Sequence, residues 1–257
     1  MLFYQAVLPL SNRTLSHVAR IIRSHHRQNG TRWRLLEPGQ QALMTLVYLH
    51  KGETFDNLAA SWTVSRATAW RRVRETVTPL AEHAPDLRQA LRRAARAGVR
   101  SVIIDGTVIP TWRILTRRGY WSGKHKHFGM NAQAVMDLEG NLLWISDALG
   151  ASTHDITAAR RWGIVPALRR TGLFGLADKG YQGLAPERVG TPYKGRDLPA
   201  WKRAYNREHS SWRALGERAF AELKRWAILR RLRGNPDYAT DLVHAVAELN
   251  RIERSSG

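Results

Sequence analysis

The chain has no cysteine. That excludes disulfides and thiolate metal sites, so any bound metal must be held by oxygen or imidazole. No run of 18 apolar residues occurs, and no membrane-spanning helix is expected. The opening MLFYQAVLPLSNRT has neither a positive leading region nor a small-residue cleavage site, so no secretory signal is expected. A cytoplasmic protein is the default reading. Lysine is scarce: of 41 basic residues, seven are lysine and 34 arginine. Acidic residues are scarcer than basic ones, at 21, which leaves a net charge of +20.

A pI near 11.3 calls for a polyanionic partner. Arginine binds phosphate in a bidentate fork, which suits nucleic acid. Biased codon usage would explain arginine over lysine, but not the excess of positive over negative charge. A membrane surface fits less well, because no basic amphipathic helix stands apart from the rest. Apolar residues make up 43% of 257, enough for a core in one large domain or in one domain with a small appendage.

The texture changes near residue 98. Residues 11–98 carry helical patterning without strand-like alternation. A helix is expected from Pro38 to His50, with Gly52 after its end. DLRQALRRAARAGVR reads as an arginine-rich helix closed by Gly98. After Arg100 short apolar runs appear, and DLEGN at 137–141 predicts a hairpin. Helices are expected over 154–169, interrupted by Pro166, and over 207–229. Strands followed by helices predict a mixed α/β sheet covered by helices. The expected division is a helical domain, 1–98, and an α/β domain, 99–257.

LAASWTVSRATAWRRV fits a helix-turn-helix near 54–76. Leu58 and Ala59 lie on the first helix, Val64 packs at the turn, and Ser65 can cap the second helix. Ala69 and Val73, four apart, face inward. Arg66, Thr68, Arg71 and Arg72 are left for a DNA groove. Thr63 stands where glycine is usual in the turn. The competing reading is a three-helix packing module with a solvated basic face.

SVIIDGTVIPTW poses the chemical question. Val102-Ile103-Ile104 reads as a strand buried on both faces, and Asp105 stands where it leaves the core. Asp-Gly is also a common turn signal, so on this stretch alone a turn is the simpler account. Asp178 in GLFGLADKGYQG repeats the architecture of apolar strand, Asp, and Gly-containing turn. Two strand-end carboxylates of one sheet can converge. On the last long helix, Arg213, Glu217 and Lys224 are spaced four and seven apart, on one face. Taken alone, Arg213 and Glu217 would be a surface ion pair. Three carboxylates suit Mg²⁺ or Mn²⁺, and two such ions can clamp the attacking and leaving oxygens of a phosphodiester.

Two basic, aromatic stretches, 116–129 and 191–208, are candidates for phosphate contact, the first with some base stacking. An edge hairpin is the alternative for the first. His125 and His127, one residue apart, are read as solvated or phosphate-facing rather than as metal ligands.

With DGT, ADKGY, TPYKG and GERAFAELKRW, the chain resembles the DDE transposases of bacterial insertion sequences. The nearer likeness is to the DDE superfamily endonuclease type, with Harbinger transposases as eukaryotic relatives. The resemblance covers nearly the whole chain. It implies a helix-turn-helix followed by a ribonuclease H-like catalytic domain. It implies that Asp105, Asp178 and Glu217 hold two divalent ions, Mg²⁺ or Mn²⁺. It implies that Arg213 and Lys224 contact the transposon end. Where the family signature often has Tyr three residues before that Arg, this chain has Ser210. Asp155, in STHD, also falls in a family motif and is the rival of Asp178 for the second metal ligand, but just before a helix it is more simply a cap, and Asp178 ranks ahead of it. Asp155 and Glu222 are next in line should Glu217 fail.

The expected function is an insertion-sequence transposase at the bacterial nucleoid. It would bind terminal inverted repeats in double-stranded DNA, cleave, and join the 3′ ends to target DNA. Synapsis of two ends implies a homo-oligomer. A DNA-binding repressor without catalysis and a ribonuclease H-type metal nuclease are the alternatives.

Overall fold

The helical half follows from its caps. In the computed structural model, which describes residues 8–30, 35–112, 119–233 and 235–255, five helices precede the sheet. They are α1 (Asn12–Gln28), α2 (Pro38–Lys51), α3 (Phe55–Trp62), α4 (Arg66–Glu82) and α5 (Leu87–Arg96). Pro38 sits in the first turn of α2, where its missing N–H costs nothing. The Glu37 backbone N–H donates to Gln40 Oε1 at 3.1 Å, and Gly52 closes the helix in the left-handed region. Ser65 caps α4 by accepting from the Thr68 N–H at 3.1 Å. Asp86 caps α5 through the Gln89 N–H at 2.9 Å.

The sheet is mixed. Its strands are β1 (Ser101–Pro110), β2 (Trp121–Ser122), β3 (His127–Met136), β4 (Leu142–Ile145), β5 (Leu149–Gly150), β6 (Phe174–Ala177) and β7 (Val189–Gly190). The order is β2-β3-β1-β6-β7, with β4 and β5 also on β3. β1 is antiparallel to β3 and parallel to β6. The expected DLEGN hairpin joins β3 to β4, and Asp137 Oδ1 accepts from the Glu139 and Asn141 N–H groups. The crossover from β5 to β6 carries α6 (Asp155–Arg161) and α7 (Ile164–Thr171). The break in the expected 154–169 helix is at Gly163, which is left-handed; Pro166 sits harmlessly in the first turn of α7. α8 (Ala200–Arg225) begins earlier and ends earlier than expected, and α9 (Ala239–Arg254) completes the chain's described helices.

Alternation on β1 separates two apolar layers. Ile103 and Ile109 face a core shared with α1, α2, α4, α8 and α9. Val102 and Ile104 face a second core with α5 and α7. The N-terminal helices therefore share their apolar core with the last two helices and one face of the sheet. Glu248 on α9 lies within this layer, 1% exposed, and takes two bonds from Arg251 at 2.6 and 2.7 Å.

One expectation fails in an informative way. β1 does not end at Asp105; it continues to Pro110, paired with β3 throughout. The strand that ends is its neighbour β6, whose last pair with β1 is Ala177 to Ile104. Asp105 opens to a gap because β6 stops, not because β1 does.

Candidate active site

Asp105 and Asp178 are the next residues beyond that last parallel pair. They share a small cavity lined by Ile103, Leu176, His209 and Trp212. α8 covers it with His209, Trp212 and Gly216, a helical spacing of three and four that lays one face on the sheet. A Cβ on Gly216 would lie 3.9 Å from Asp105 Oδ2 and 3.5 Å from Ile103, so the helix approaches closely here. Glu217 follows Gly216 on α8 and is exposed; it is not among the residues that line the cavity. Asp105 Oδ1 accepts the Gly106 N–H at 2.8 Å, and Asp178 Oδ1 accepts the Gly180 N–H at 2.7 Å. Each carboxylate is fixed by its own turn of backbone.

Asp155 is where the sequence misleads. It is not the cap of α6: His154 holds that position and makes no side-chain cap bond. The Asp155 carboxylate instead turns to the sheet. Its Oδ1 accepts from Asn131 Nδ2 at 3.0 Å and Gln133 Nε2 at 3.1 Å. Both amides rise from β3 and are buried. Gln133 Oε1 in turn accepts the Tyr181 hydroxyl at 2.5 Å. Burial, then Asp155, Asp105 and Asp178, push the Tyr181 phenol well above its ordinary range, so it stays protonated and donates. Three aspartates thus surround one buried tyrosine at the end of β6.

Two glycines make the space. A Cβ on Gly106 would stand 2.4 Å from Asp155 Oδ1 and 2.7 Å from Gln133 Nε2. A Cβ on Gly180 would stand 2.9 Å from Asp178 Oδ1 and 3.5 Å from Asp155 Oδ2. Among the described residues no three histidine or carboxylate side chains close into a finished metal cluster. The donors that face the gap are carboxylate oxygens with a glycine cradle between them, and that set fits a hard divalent cation. The His125 and His127 rings lie 5.8 Å apart and tilted, and among the described residues no third ligand joins them in a metal group. Glu222, the reserve candidate, is engaged by Arg254.

Sequence reasoning missed Asn131, Gln133 and Tyr181. A signal was present: two polar residues two apart in the otherwise apolar strand FGMNAQAVM put amides on one face.

The helix-turn-helix takes its expected form in α3 and α4. Leu58, Ala69 and Val73 are buried. Arg66 is exposed and pairs loosely with Asp56 at 3.4 Å, while Arg71 is exposed with its Nε on the Ala67 carbonyl at 3.3 Å. Thr68 is half-buried, its hydroxyl 2.9 Å from that of Ser65. Arg72 departs from expectation. It turns inward to Glu75 at 2.6 Å, both side chains about one-sixth exposed, because Gln41 of α2 draws that face of α4 into the core. Lys224 is half-buried near the C-terminal end of α8; Arg213 lies on the same helix.

Of the basic stretch 116–129, residues 116–118 lie outside the described residues. The remainder forms an edge hairpin of β2 and β3, the alternative reading of that stretch, with Lys124 and Lys126 exposed. At the start of α8 the Lys202 ammonium lies 4.8 Å over Tyr193 and 5.2 Å over Trp201.

Residues 104–251 match the family model described as DDE superfamily endonuclease. The chain belongs to that family. Residues 33–86 match a second model, the helix-turn-helix of DDE superfamily endonuclease, which spans α2 to α4. A protein of Streptomyces albus G named "Putative transposase for insertion sequence element IS112" is 30% identical over 217 residues, covering 82% of this chain and 78% of that one. No solved structure matches the chain. In this DDE superfamily endonuclease, no described helix is long and apolar enough to cross a membrane.

Proposed function

We propose that this endonuclease is the transposase of a bacterial insertion sequence. It binds terminal inverted repeats through α3 and α4, cleaves at the element's ends, and transfers the 3′ ends to target DNA. The family matches at 33–86 and 104–251 support a division of labour in which the helical region, 1–98, binds DNA and the α/β region, 99–257, cuts it. Arg66, Thr68 and Arg71 serve the DNA groove from the exposed side of α4. Arg213 and Lys224 serve the phosphates of the transposon end.

Asp105, Asp178 and Glu217 would hold two divalent ions, Mg²⁺ or Mn²⁺. Bound there, the ions would activate water or a DNA 3′-hydroxyl and stabilise the leaving oxygen. The protein's own part is to fix the carboxylates. Gly106 N–H and Gly180 N–H hold one oxygen of Asp105 and of Asp178. The α8 face of His209, Trp212 and Gly216 closes the cavity behind them. The observation that carries this reading is the pair of aspartates just past the end of β6, beneath the helix bearing Glu217. Handling two ends at once calls for a homo-oligomer at the nucleoid.

The test is Mg²⁺-dependent nicking of a labelled duplex carrying the element's terminal repeat, wild type beside Glu217→Gln. The substitution keeps size and helix propensity and removes the charge. Nicking should fall at least about a hundredfold, since carboxylate–ion attraction contributes several kcal/mol, while binding of the duplex persists. Binding without nicking by the wild type would favour a repressor. Equal cutting of the repeat, a scrambled duplex and an RNA–DNA hybrid would favour a ribonuclease H-type nuclease.

A further inference from the structure

We propose that the groove between α5 and α7 is a second DNA site, which holds the phosphate backbone of a duplex without reading its sequence. The proposal rests on the reading that this chain acts on DNA. It adds a surface apart from α3 and α4 and apart from the aspartates.

The arginines of α5 have a plain structural explanation to be weighed first. Leu87, Ala90, Leu91 and Ala94 bury one face of the helix, and a charged opposite face keeps it in water. Such a face ordinarily mixes acids with bases, which pair along the helix. α5 contains no acid, and neither does α7. Elsewhere arginines find carboxylates: Arg72 pairs with Glu75, Arg169 with Glu187 and Arg251 with Glu248. Arg88, Arg92 and Arg170 have no acidic partner among the described residues. Solvation alone does not explain why two helices should bring these three together.

The packing does bring them together. Two adjoining hollows of about 650 and 350 Å³ lie between α5 and α7, and both are lined by Arg88, Arg92, Ala167 and Arg170. The larger also has Trp162 and Pro166 in its lining, which gives it apolar walls. The acid there, Asp86, is committed to the Gln89 N–H at 2.9 Å as the cap of α5. Arg88 and Arg92 stand one turn apart, about 6 Å along the axis. Arg92 Nε donates to the Arg88 carbonyl at 3.2 Å, which lays its stem along the helix. A cleft lined by one sign of charge between low-dielectric walls focuses the field and draws in a polyanion. Three guanidiniums around one groove repel each other, and phosphate oxygens between them turn that repulsion into charge-assisted hydrogen bonds.

Position separates this groove from the helix-turn-helix. α5 and α7 pack on one face of the sheet, while α4 and α8 belong to the core on the other. Arg66 and Arg71 stand near the start of α4, and α5 begins only after its far end, 17 residues or about 25 Å later. The arginines of the groove are recessed between two helices rather than raised on one. They therefore meet a backbone and not base edges, and phosphate contacts carry no sequence information.

The experiment is binding of a fluorescent scrambled duplex to the full chain, titrated with salt from about 50 to 200 mM. The groove variant carries Arg88→Gln, Arg92→Gln and Arg170→Gln. The control carries Arg20→Gln, Arg23→Gln and Arg27→Gln, an equal loss of charge at exposed positions of α1. Expected in the groove variant is a loss of affinity of about tenfold or more, with the salt slope lower by about two to three. The control should keep the wild-type slope to within about one. Melting temperatures should stay within about 3 °C of wild type, since all six positions are exposed. Wild-type affinity in the groove variant, or equal losses in variant and control, would overturn the proposal and leave repeat binding by α4 standing. No binding of either the repeat or the scrambled duplex by the wild type would remove the DNA reading and the proposal together. Tighter binding of an RNA of the same length would overturn the assignment to DNA. Arg170→Cys gives a second readout that does not depend on affinity. The chain has no other cysteine, so a photo-cross-linker attached there reports the groove alone. It should cross-link the repeat and the scrambled duplex alike, and the same label on Arg20→Cys should cross-link neither. No cross-link from position 170, a cross-link to the repeat only, or equal cross-linking from position 20 would overturn the proposal.

Discussion

On α4, Arg66 and Arg71 stand in solvent, tied only to an exposed Asp56 and to a carbonyl of their own helix. At the end of β6, Asp155 is held by two amides, one of which is held by a tyrosine. The difference matches the roles proposed for the two regions. A DNA-facing arginine needs reach, and its phosphate partner supplies the final geometry. A carboxylate that serves a reacting phosphodiester must be in position beforehand, because small displacements are costly there. The first region can therefore lose its functional side chains and keep its fold. The second cannot be altered without disturbing its neighbours.

Gly106→Ala puts that contrast to its hardest test. The added methyl has nowhere to go: Asp155 Oδ1 lies 2.4 Å away and Gln133 Nε2 2.7 Å away. Nicking should fall about a hundredfold, the usual scale for a displaced catalytic group. Stability in urea should fall by about 1–3 kcal/mol, the cost of overpacking. Full stability with full nicking would mean that the Asp155 network yields easily, and the contrast with α4 would be lost.

The arginines of α4 sharpen it from the other side. Arg66→Ala with Arg71→Ala should weaken repeat binding about tenfold and lower the salt slope by about two. Stability should stay within about 0.5 kcal/mol, as for other exposed sites. Arg72→Ala should behave in the opposite way. Its bond to Glu75 is partly buried, so its loss should cost about 1.5 kcal/mol of stability with the salt slope unchanged. Salt titrations of binding beside urea melts would separate the two kinds of arginine on one helix.

The sequence made some of this visible and hid the rest for physical reasons. Helix ends were legible because capping is local: Ser65 and Gly52 act within four residues of themselves. Asp105 and Asp178 stood out because each follows an apolar run. Their true setting did not, since it depends on β6 stopping while β1 runs on. The inward turn of Arg72 was hidden because it needs Gln41, 31 residues earlier in the chain. Asp155 was misread for the same cause. Its neighbours in sequence suggest a cap, and its partners lie 22 and 24 residues away on β3.

Thr63 shows the smallest effect and the most local one. It closes α3 at φ 52°, ψ 45°, in the left-handed region that a β-branched residue rarely adopts. The turn is otherwise well made, with the Val64 N–H on the Ala59 carbonyl at 3.0 Å. Thr63 is exposed, so Thr63→Gly gives up little packing. Relief of about 1–2 kcal/mol of strain is offset in part by glycine's greater unfolded-state entropy, about 0.5–1 kcal/mol. A net gain of about 0.5–1 kcal/mol is expected in urea melts. Repeat affinity should not change, since Leu58, Ala69 and Val73 still fix the angle between α3 and α4. If affinity drops while stability rises, the strained turn sets the pose of α4 on DNA. The helical region would then share the preorganisation argued here for the acid site alone.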